Sequence, residues 1–333
     1  MGMFWAYRKL KHAGLKSQLE SIIETSASAS ERFCAIQIAE ACSGAGLSRL
    51  LADLALRESE PLFLRIAAAS CVADHGVEID KSRLLPLALQ VSQTEEEERL
   101  KSQALSAVWP AHCTWTQIKD SLGADDPQTT TALGRFLGFI FAEGLALSDL
   151  ADALDWLADK NCYPDGLSGW AAATDQLLMR ASAFADDPTV RRAIVGVLFA
   201  RLSRHHRVFY ESGTEKGDGM LWSASTRRAI AVELIPKLAP SGYLAVAALR
   251  SSSPLLVRED IEFMMDRWDI AAADERLVWE QAIVWMVDWQ VPEASSTVLT
   301  ASAERHPRLT PILETQQQAV LSISTGRMNA KRS

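Results

Sequence analysis

Four aspartates recur along one predicted helix, in the segment LSDLADALDWLADK at residues 147–160. At 100° per residue they fall within one arc of about 120°, opposite three leucines. Such a stripe could bind a cation or a basic partner, although an ordinary solvated helix face has the same pattern. Carboxylate catalysis needs two acids that face each other across a cleft, which one helix does not provide. We expect mainly a solvated face, and the candidate partner-binding residues in it are Asp149, Asp152 and Asp155.

The segment RLSRHHRVF, residues 201–209, carries the main basic cluster of the chain. It lies in the last turns of a predicted helix, where positive charge complements the helix dipole. The same charges could bind a phosphate or an acidic partner. Adjacent histidines do not share a helix face as a His-x3-His pair does, so no zinc site is expected. The candidate partner-binding residues here are Arg201, Arg204, His205, His206 and Arg207.

No segment predicts a catalytic centre, and we expect no enzyme activity, no metal and no cofactor. His112 and Cys113 are neighbours, and adjacent residues rarely present both side chains to one substrate, so we expect a loop there. The chain has no GxxxxGK[ST], GxSxG, HExxH or Gly-rich dinucleotide motif. The segment GTEKGDG at 213–219 has its lysine before a glycine and no predicted strand ahead of it, so we interpret it as a loop.

Composition narrows the function classes. The 333 residues include 34 basic and 42 acidic side chains, a net charge of −8, which disfavours a general nucleic-acid or anionic-membrane binder. No apolar run approaches the roughly 20 residues that cross a bilayer. The five cysteines form no CxxC pair, which favours buried thiols in a reducing compartment over disulfides or zinc. We expect a cytoplasmic protein.

The elements that position these residues are predicted to be short helices throughout. A basic residue followed three positions later by a small one recurs inside apolar helices, and its basic positions step by 33, 36 and 34 residues. The four pairs are Arg32/Ala35, Arg65/Ala68, Lys101/Ala104 and Arg135/Gly138. Looser echoes begin at Arg191, Arg227 and Arg276.

A period near 35 residues with two helices per unit predicts an all-α, right-handed α-α superhelix of paired antiparallel helices, an α-solenoid. The alternative is an unrepeated helical bundle. In a solenoid the second helix of each pair is covered on most sides. The recurring arginine is therefore expected at one edge, paired with an acid or a carbonyl of the adjacent repeat.

Several local signals set the predicted boundaries. Residues 1–25 are interpreted as N-terminal capping helices, 26–160 as regular repeats and 161–325 as degenerate repeats with an insertion near 210–222. Residues 326–333 are predicted to be a disordered tail. The glycines Gly76, Gly123 and Gly144 are expected to end helices. A cluster of tryptophan and methionine is expected to close the terminal core; its members are Met264, Met265, Trp279, Trp285, Met286 and Trp289.

The segments SEPLFLRIAAASCV and DDPTVRRAIVGVL resemble the HEAT repeat. A narrower resemblance covers roughly residues 20–315. The segments LKSQALSAVWPAHCTWTQI, TALGRFLGFIF, LSDLADALDWL and ADDPTVRRAIVGVLFARLSRHHRVF are similar to the C-terminal helical-repeat region of bacterial STAND-type NTPases, in which a NACHT or related module precedes the repeats.

The resemblance implies a scaffold or sensor that binds protein, with an NTPase module or effector as partner. The sequence contains no motif of that NTPase module, so we expect a fragment, a split-gene partner or a relative that kept only the repeats. From the composition we expect no membrane partner. Two other functions stay open. One is an enzyme on a HEAT-like scaffold, such as a DNA base-excision glycosylase, which needs a basic groove around a buried acid. The other is a structural subunit held by its apolar ends in a homo-oligomer. The sequence leaves the oligomeric state open.

Overall fold

The computed structural model describes residues 7–44, 46–122, 132–160, 169–205, 222–238 and 255–288, together with residues 307 and 310. All regular structure in these ranges is helical and none of it is β-strand, which confirms the predicted all-α class. No described helix has both the length and the apolar character that spanning a bilayer requires. The predicted insertion near 210–222, apart from Trp222, and the predicted tail at 326–333 lie outside the described residues.

The α-helices of the described ranges are short, and 3₁₀-helices at Arg8–Leu10, Leu147–Asp149 and Arg258–Asp260 and a π-helix at Phe136–Phe141 accompany them. In chain order the α-helices are α1 Leu15–Thr25, α2 Ala29–Ala41, α3 Ser48–Leu56, α4 Leu62–His75, α5 Glu78–Ser82, α6 Leu85–Leu89, α7 Glu95–Val108, α8 Trp115–Leu122, α9 Ala142–Gly144, α10 Leu150–Lys160, α11 Gly169–Ser182, α12 Pro188–His205, α13 Ala224–Leu238, α14 Ile261–Ile270 and α15 Ala273–Asp288.

The chain divides into two compact units. The first comprises Met1–Ala153 and Asp165–Leu177, and the second comprises Leu154–Pro164 and Leu178–Ser333. The predicted change from regular to degenerate repeats, after residue 160, falls near this division, but each unit takes chain from both sides of that residue.

In the first unit, consecutive helices pair and the second helix of each pair contacts the next one. The pairs are α1 with α2, α3 with α4 and α6 with α7, while α2 contacts α4, α4 contacts α7 and α7 contacts the π-helix. The helices α2, α4 and α7 begin at Ala29, Leu62 and Glu95, a constant step of 33 residues. We call these three helices the row. Buried alanines such as Ala35 and Ala68 provide small contacts in it.

An arginine occupies the fourth position of α2, α4, α12, α13 and α15, and its guanidinium donates to a backbone carbonyl that precedes the helix. Arg32 Nε lies 2.9 Å from Ile23 O near the end of α1, and Arg65 Nε lies 2.9 Å from Ala55 O near the end of α3. The three later contacts are Arg191 to Ala185 O, Arg227 to Trp222 O and Arg276 to Asp269 O. Arg32, Arg65 and Arg276 thus supply donors to carbonyls in the last turn of the preceding helix, where carbonyls lack a partner within the helix.

Three of these arginines also pair with an acid farther along the chain. Arg32 forms two 2.7 Å hydrogen bonds with Glu60, just before α4. The other two pairs are Arg191 with Glu233 and Arg227 with Asp260. These acids lie 28, 42 and 33 residues farther along the chain, and their assignment to an adjacent repeat stays a prediction. The carbonyl contacts lie in the segment before each helix, and Arg227 Nε donates in addition to Leu255 O, farther along the chain.

The predicted register of the third repeat is wrong by one helical turn. The constant step of 33 places Glu98, not Lys101, at the fourth position of α7. Lys101 lies three residues later, is buried, and donates through Nζ to Ser121 O of α8. In the sequence, the step from Arg65 to Lys101 is 36 residues instead of 33. The pattern of basic residues alone does not show where α7 begins, so it places Lys101 at the position that Glu98 occupies.

The second unit has its own core. In it α12 contacts α13, and α15 contacts both α13 and α14. Asp260, 1% exposed, accepts from Arg227 Nη2 at 3.1 Å and from Arg228 Nε at 2.7 Å. Met264, Met265 and Trp279 are buried as predicted. The side chains of Trp285 and Met286, and the whole of Trp289, lie outside the described residues.

Gly76 and Gly144 lie at helix ends as predicted, but neither adopts a left-handed conformation. Gly76 has φ −69°, so it needs no left-handed conformation, and a Cβ there would lie 2.5 Å from Val72 O. Gly144 is the last residue of α9, and its Cβ would lie 2.3 Å from Nε1 of Trp109. Both glycines allow close approach of another group. Gly123 lies outside the described residues.

We predict that Gly144→Ala lowers the free energy of unfolding by about 1–3 kcal/mol, since the added methyl group overlaps the buried Trp109 ring. Gly134→Ala is the matched control, because its Cβ meets no atom within 4 Å. Urea unfolding followed by circular dichroism measures both variants. Equal effects would contradict the steric explanation.

Candidate functional site

The predicted acidic stripe faces away from the apolar side of α10, as the periodicity indicated. Leu150, Leu154 and Leu157 are buried at 0–1% exposure. Asp152 and Asp155 are exposed, and Asp149 ends the preceding 3₁₀-helix in a half-buried position. The side chain of Asp159 lies outside the described residues.

Asp152 is tied to α8 instead of lying open in the stripe. Its carboxylate accepts from Lys119 Nζ at 2.8 and 3.0 Å and from Trp115 Nε1 at 2.5 Å. The hydrogen bond from Lys119 lowers the pKa of Asp152, and Trp115 adds to that effect. This carboxylate therefore joins two helices. Within the described ranges, no group of three or more His, Cys, Asp or Glu side chains is arranged to hold a metal ion.

The predicted basic cluster does not form one surface patch with Arg201. Arg201 is 0% exposed, so it is not available to an external partner as we expected. The physical reason is that α12 is apolar on most sides and Arg201 lies on its buried side, next to Leu198 and Leu202, both at 0% exposure. Arg204 and His205 end α12, but their side chains, and all of His206 and Arg207, lie outside the described residues.

His112 and Cys113 do not form a nucleophilic pair. Nε2 of His112 lies 3.0 Å from the Glu78 carboxylate. Burial raises the pKa of the Cys113 thiol to about 11, which keeps it protonated at neutral pH. The same effect raises the pKa of Cys71 to about 12. A thiol is a poor nucleophile until it is deprotonated, so neither cysteine is prepared for catalysis.

A cluster that the sequence did not predict lies where α2 and α4 end. It joins residues of α2 and α4 with the start of the π-helix. Arg135 Nη2 donates to the Asp74 carboxylate at 2.7 Å, and Gln37 Nε2 donates to Glu40 at 3.3 Å. We call it the Glu40 cluster, and its members are Glu40, Ser70, Asp74, His75 and Arg135.

Gly44 allows the two helix ends to approach. It follows α2 with φ +75°, a conformation that side chains disfavour. A Cβ at Gly44 would lie 3.0 Å from Cβ of His75 at the end of α4. The close approach brings the last turns of α2 and α4 together, and the Glu40 cluster with them.

The environment of Glu40 opposes its negative charge. Partial burial raises the pKa of the Glu40 carboxyl, and the negative charge of Asp74 raises it further. The charges of His75 and Arg135, and a hydrogen bond with Ser70, act in the opposite direction but do not cancel the rise. A carboxyl whose pKa is raised by burial and by a like charge is a candidate functional group.

The Glu40 cluster continues into a strip of half-buried positions along the row. The ninth residues of α2, α4 and α7 are Gln37, Ser70 and Gln103, and the twelfth are Glu40, Ala73 and Ser106. Positions three apart share a helix face, so these six residues form what we call the strip. It contains no large apolar side chain.

A signal for the strip was present in the sequence. Adding the step of 33 residues to Glu40 leads to Ala73, beside Asp74. The predicted repeat is defined by the basic and small residues of each helix, so it does not include the uncharged polar residues and Glu40, which belong to the strip. Arg135 contacts a residue 61 positions earlier, a separation that no repeat step near 35 predicts.

Comparisons with protein-family models, with curated proteins and with solved structures found no match. The strip presents carboxylate, amide and hydroxyl groups on a surface formed by three helices.

We predict that Glu40→Gln stabilises the protein at pH 7–8. A carboxyl whose folded pKa is raised costs stability above that pKa, and the cost disappears as the pH falls below its usual value of 4.5. The amide removes the charge, so the gain should be present at pH 7–8 and absent at pH 4.

Urea midpoints measured across this pH range test the prediction. The control is Glu24→Gln, which alters an exposed acid on α1 and should leave the midpoint unchanged. A lower midpoint for Glu40→Gln at pH 8 would contradict the interpretation of Glu40.

Proposed function

We propose that the chain is a HEAT-like α-solenoid that binds a protein partner through the strip, and that it acts as a scaffold or ligand-sensor module rather than as an enzyme. The observation that carries the proposal is the constant 33-residue step of α2, α4 and α7. Stacked repeats of equal length place equivalent residues side by side, which produces an extended surface without a catalytic centre.

The chemistry of the strip favours a polypeptide ligand. Its amide and hydroxyl groups can bond to a peptide backbone, and the small residues Ser70, Ala73 and Ser106 leave room for it. Phe139, four residues beyond Arg135 in the chain, is 73% exposed. Exposed aromatic side chains are common interface contacts.

The resemblance to the repeat region of STAND-type NTPases supports a sensor or scaffold role in a bacterial defence or signalling system. The same resemblance indicates the class of partner, which is an NTPase module or an effector protein. The net charge of −8 favours a protein over a nucleic acid. Buried, protonated Cys71 and Cys113 agree with a role that needs no nucleophile.

An affinity pull-down from the native lysate, read by mass spectrometry, tests the proposal. The strip variant combines Ser70→Arg with Ser106→Arg, which adds two long cations to the surface. The matched control combines Ser17→Arg with Ser21→Arg on the exposed side of α1. Circular dichroism checks that both variants fold.

We expect one protein to be retained in near-stoichiometric amount by the wild type and the control, and to fall at least tenfold with the strip variant. Equal retention by all three chains would overturn the strip as the binding surface. Recovery of nucleic acid in place of protein would overturn the scaffold function and favour the glycosylase alternative.

A further inference from the structure

An open apolar groove of about 340 Å³ lies along the side of α2 that carries Cys34 and Ile38. Ile22 of α1 is 39% exposed at its edge, Cys34 is exposed, and Ile38 is half-buried. The groove is lined by Ile22, Ser30, Glu31, Cys34, Ala35 and Ile38.

The equivalent positions of α4 and α7 are covered. Cys34 and Ile38 are the sixth and tenth residues of α2. In α4 these positions are Ala67 and Cys71, at 7% and 1% exposure. In α7 they are Leu100 and Ala104, both at 0%.

The sixth and tenth positions are buried in the row helices that have another row helix before them. The seventh, eighth and eleventh positions are buried in all three helices; in α2 these are Ala35, Ile36 and Ala39. The sixth and tenth are buried only in α4 and α7, and these two helices contact the preceding row helix, α2 and α4 respectively. The groove is therefore the stacking surface of a row helix that has no row helix against it in the described residues.

We propose that this groove binds an α-helix of a partner protein, in the position that α2 occupies against α4. The interface continues the one between α2 and α4, so the ligand should resemble a row helix. It carries small or apolar residues three or four apart, because buried alanines such as Ala35 and Ala39 are what the row helices use. Glu31, exposed at the rim, favours a basic residue at one end of that helix.

This second surface is separate from the strip and does not depend on the function proposed for it. The strip uses the ninth and twelfth positions of the row and presents polar groups. The groove uses the sixth and tenth positions of α2 alone and presents apolar groups. One partner could bind at the edge while another binds along the strip.

Photo-crosslinking with the full chain tests the groove. A p-benzoylphenylalanine residue replaces Cys34, and the same residue placed at Val91, which is 76% exposed, serves as the control. Ile38→Asp and, separately, Ile22→Asp add a charge to the groove. The second variant alters α1, so a folding defect in one of the two does not remove the test.

We expect the probe at position 34 to link to a helical segment of another protein that has small residues three or four apart. Each aspartate variant should lower that yield at least tenfold, and the Ser70→Arg, Ser106→Arg variant should leave it unchanged. A link to a second copy of this chain, a link to residues 1–14 of the same chain, or a yield no higher than at position 91 would overturn the proposal.

Discussion

The arginine at the fourth position of a helix, bonded to a carbonyl of the segment before it, is the interaction on which the arrangement depends. The last carbonyls of a helix have no partner within that helix, and a guanidinium supplies several donors in a fixed plane. Arg32 and Arg65 thereby hold the second helix of a pair against the end of the first. Arg32 also reaches Glu60, so the same side chain joins one helix pair to the next.

This contact explains why an arginine can begin a helix that is apolar on nearly every side. In α4 the buried residues include Leu64, Ala68 and Val72, and the helix has neighbours in α2, α3 and α7. Arg65 lies at the edge of that packing, where its Nε donates a hydrogen bond to Ala55 O. Burial of the helix and retention of the charge are therefore compatible. The 33-residue step then gives α2, α4 and α7 equivalent residues, which form the strip.

The sequence predicted features that depend on local pattern. These are the all-α class, the apolar side of α10 and the basic residue near the start of second helices. It did not predict contacts set by packing between distant segments. Glu40 and Arg135 approach Asp74 only because the helix ends meet, Asp152 is fixed by Lys119, and Arg201 is buried. The position predicted for Lys101 within α7 was wrong, because the helix begins at the Thr94 capping box and not at a fixed distance from its basic residue.

The central claim is that Arg32 and Glu60 link successive helix pairs, and a double-mutant cycle measures it directly. The cycle uses Arg32→Met, Glu60→Gln and the double variant, with free energies of unfolding from urea titrations. The hydrogen bond with Arg32 lowers the pKa of Glu60 from 4.5, so its contribution is present above that pH and lost as the pH falls through the folded pKa. We predict a coupling energy of about 1–3 kcal/mol at pH 7 that vanishes in strong acid. A coupling energy near zero at pH 7 would contradict the account.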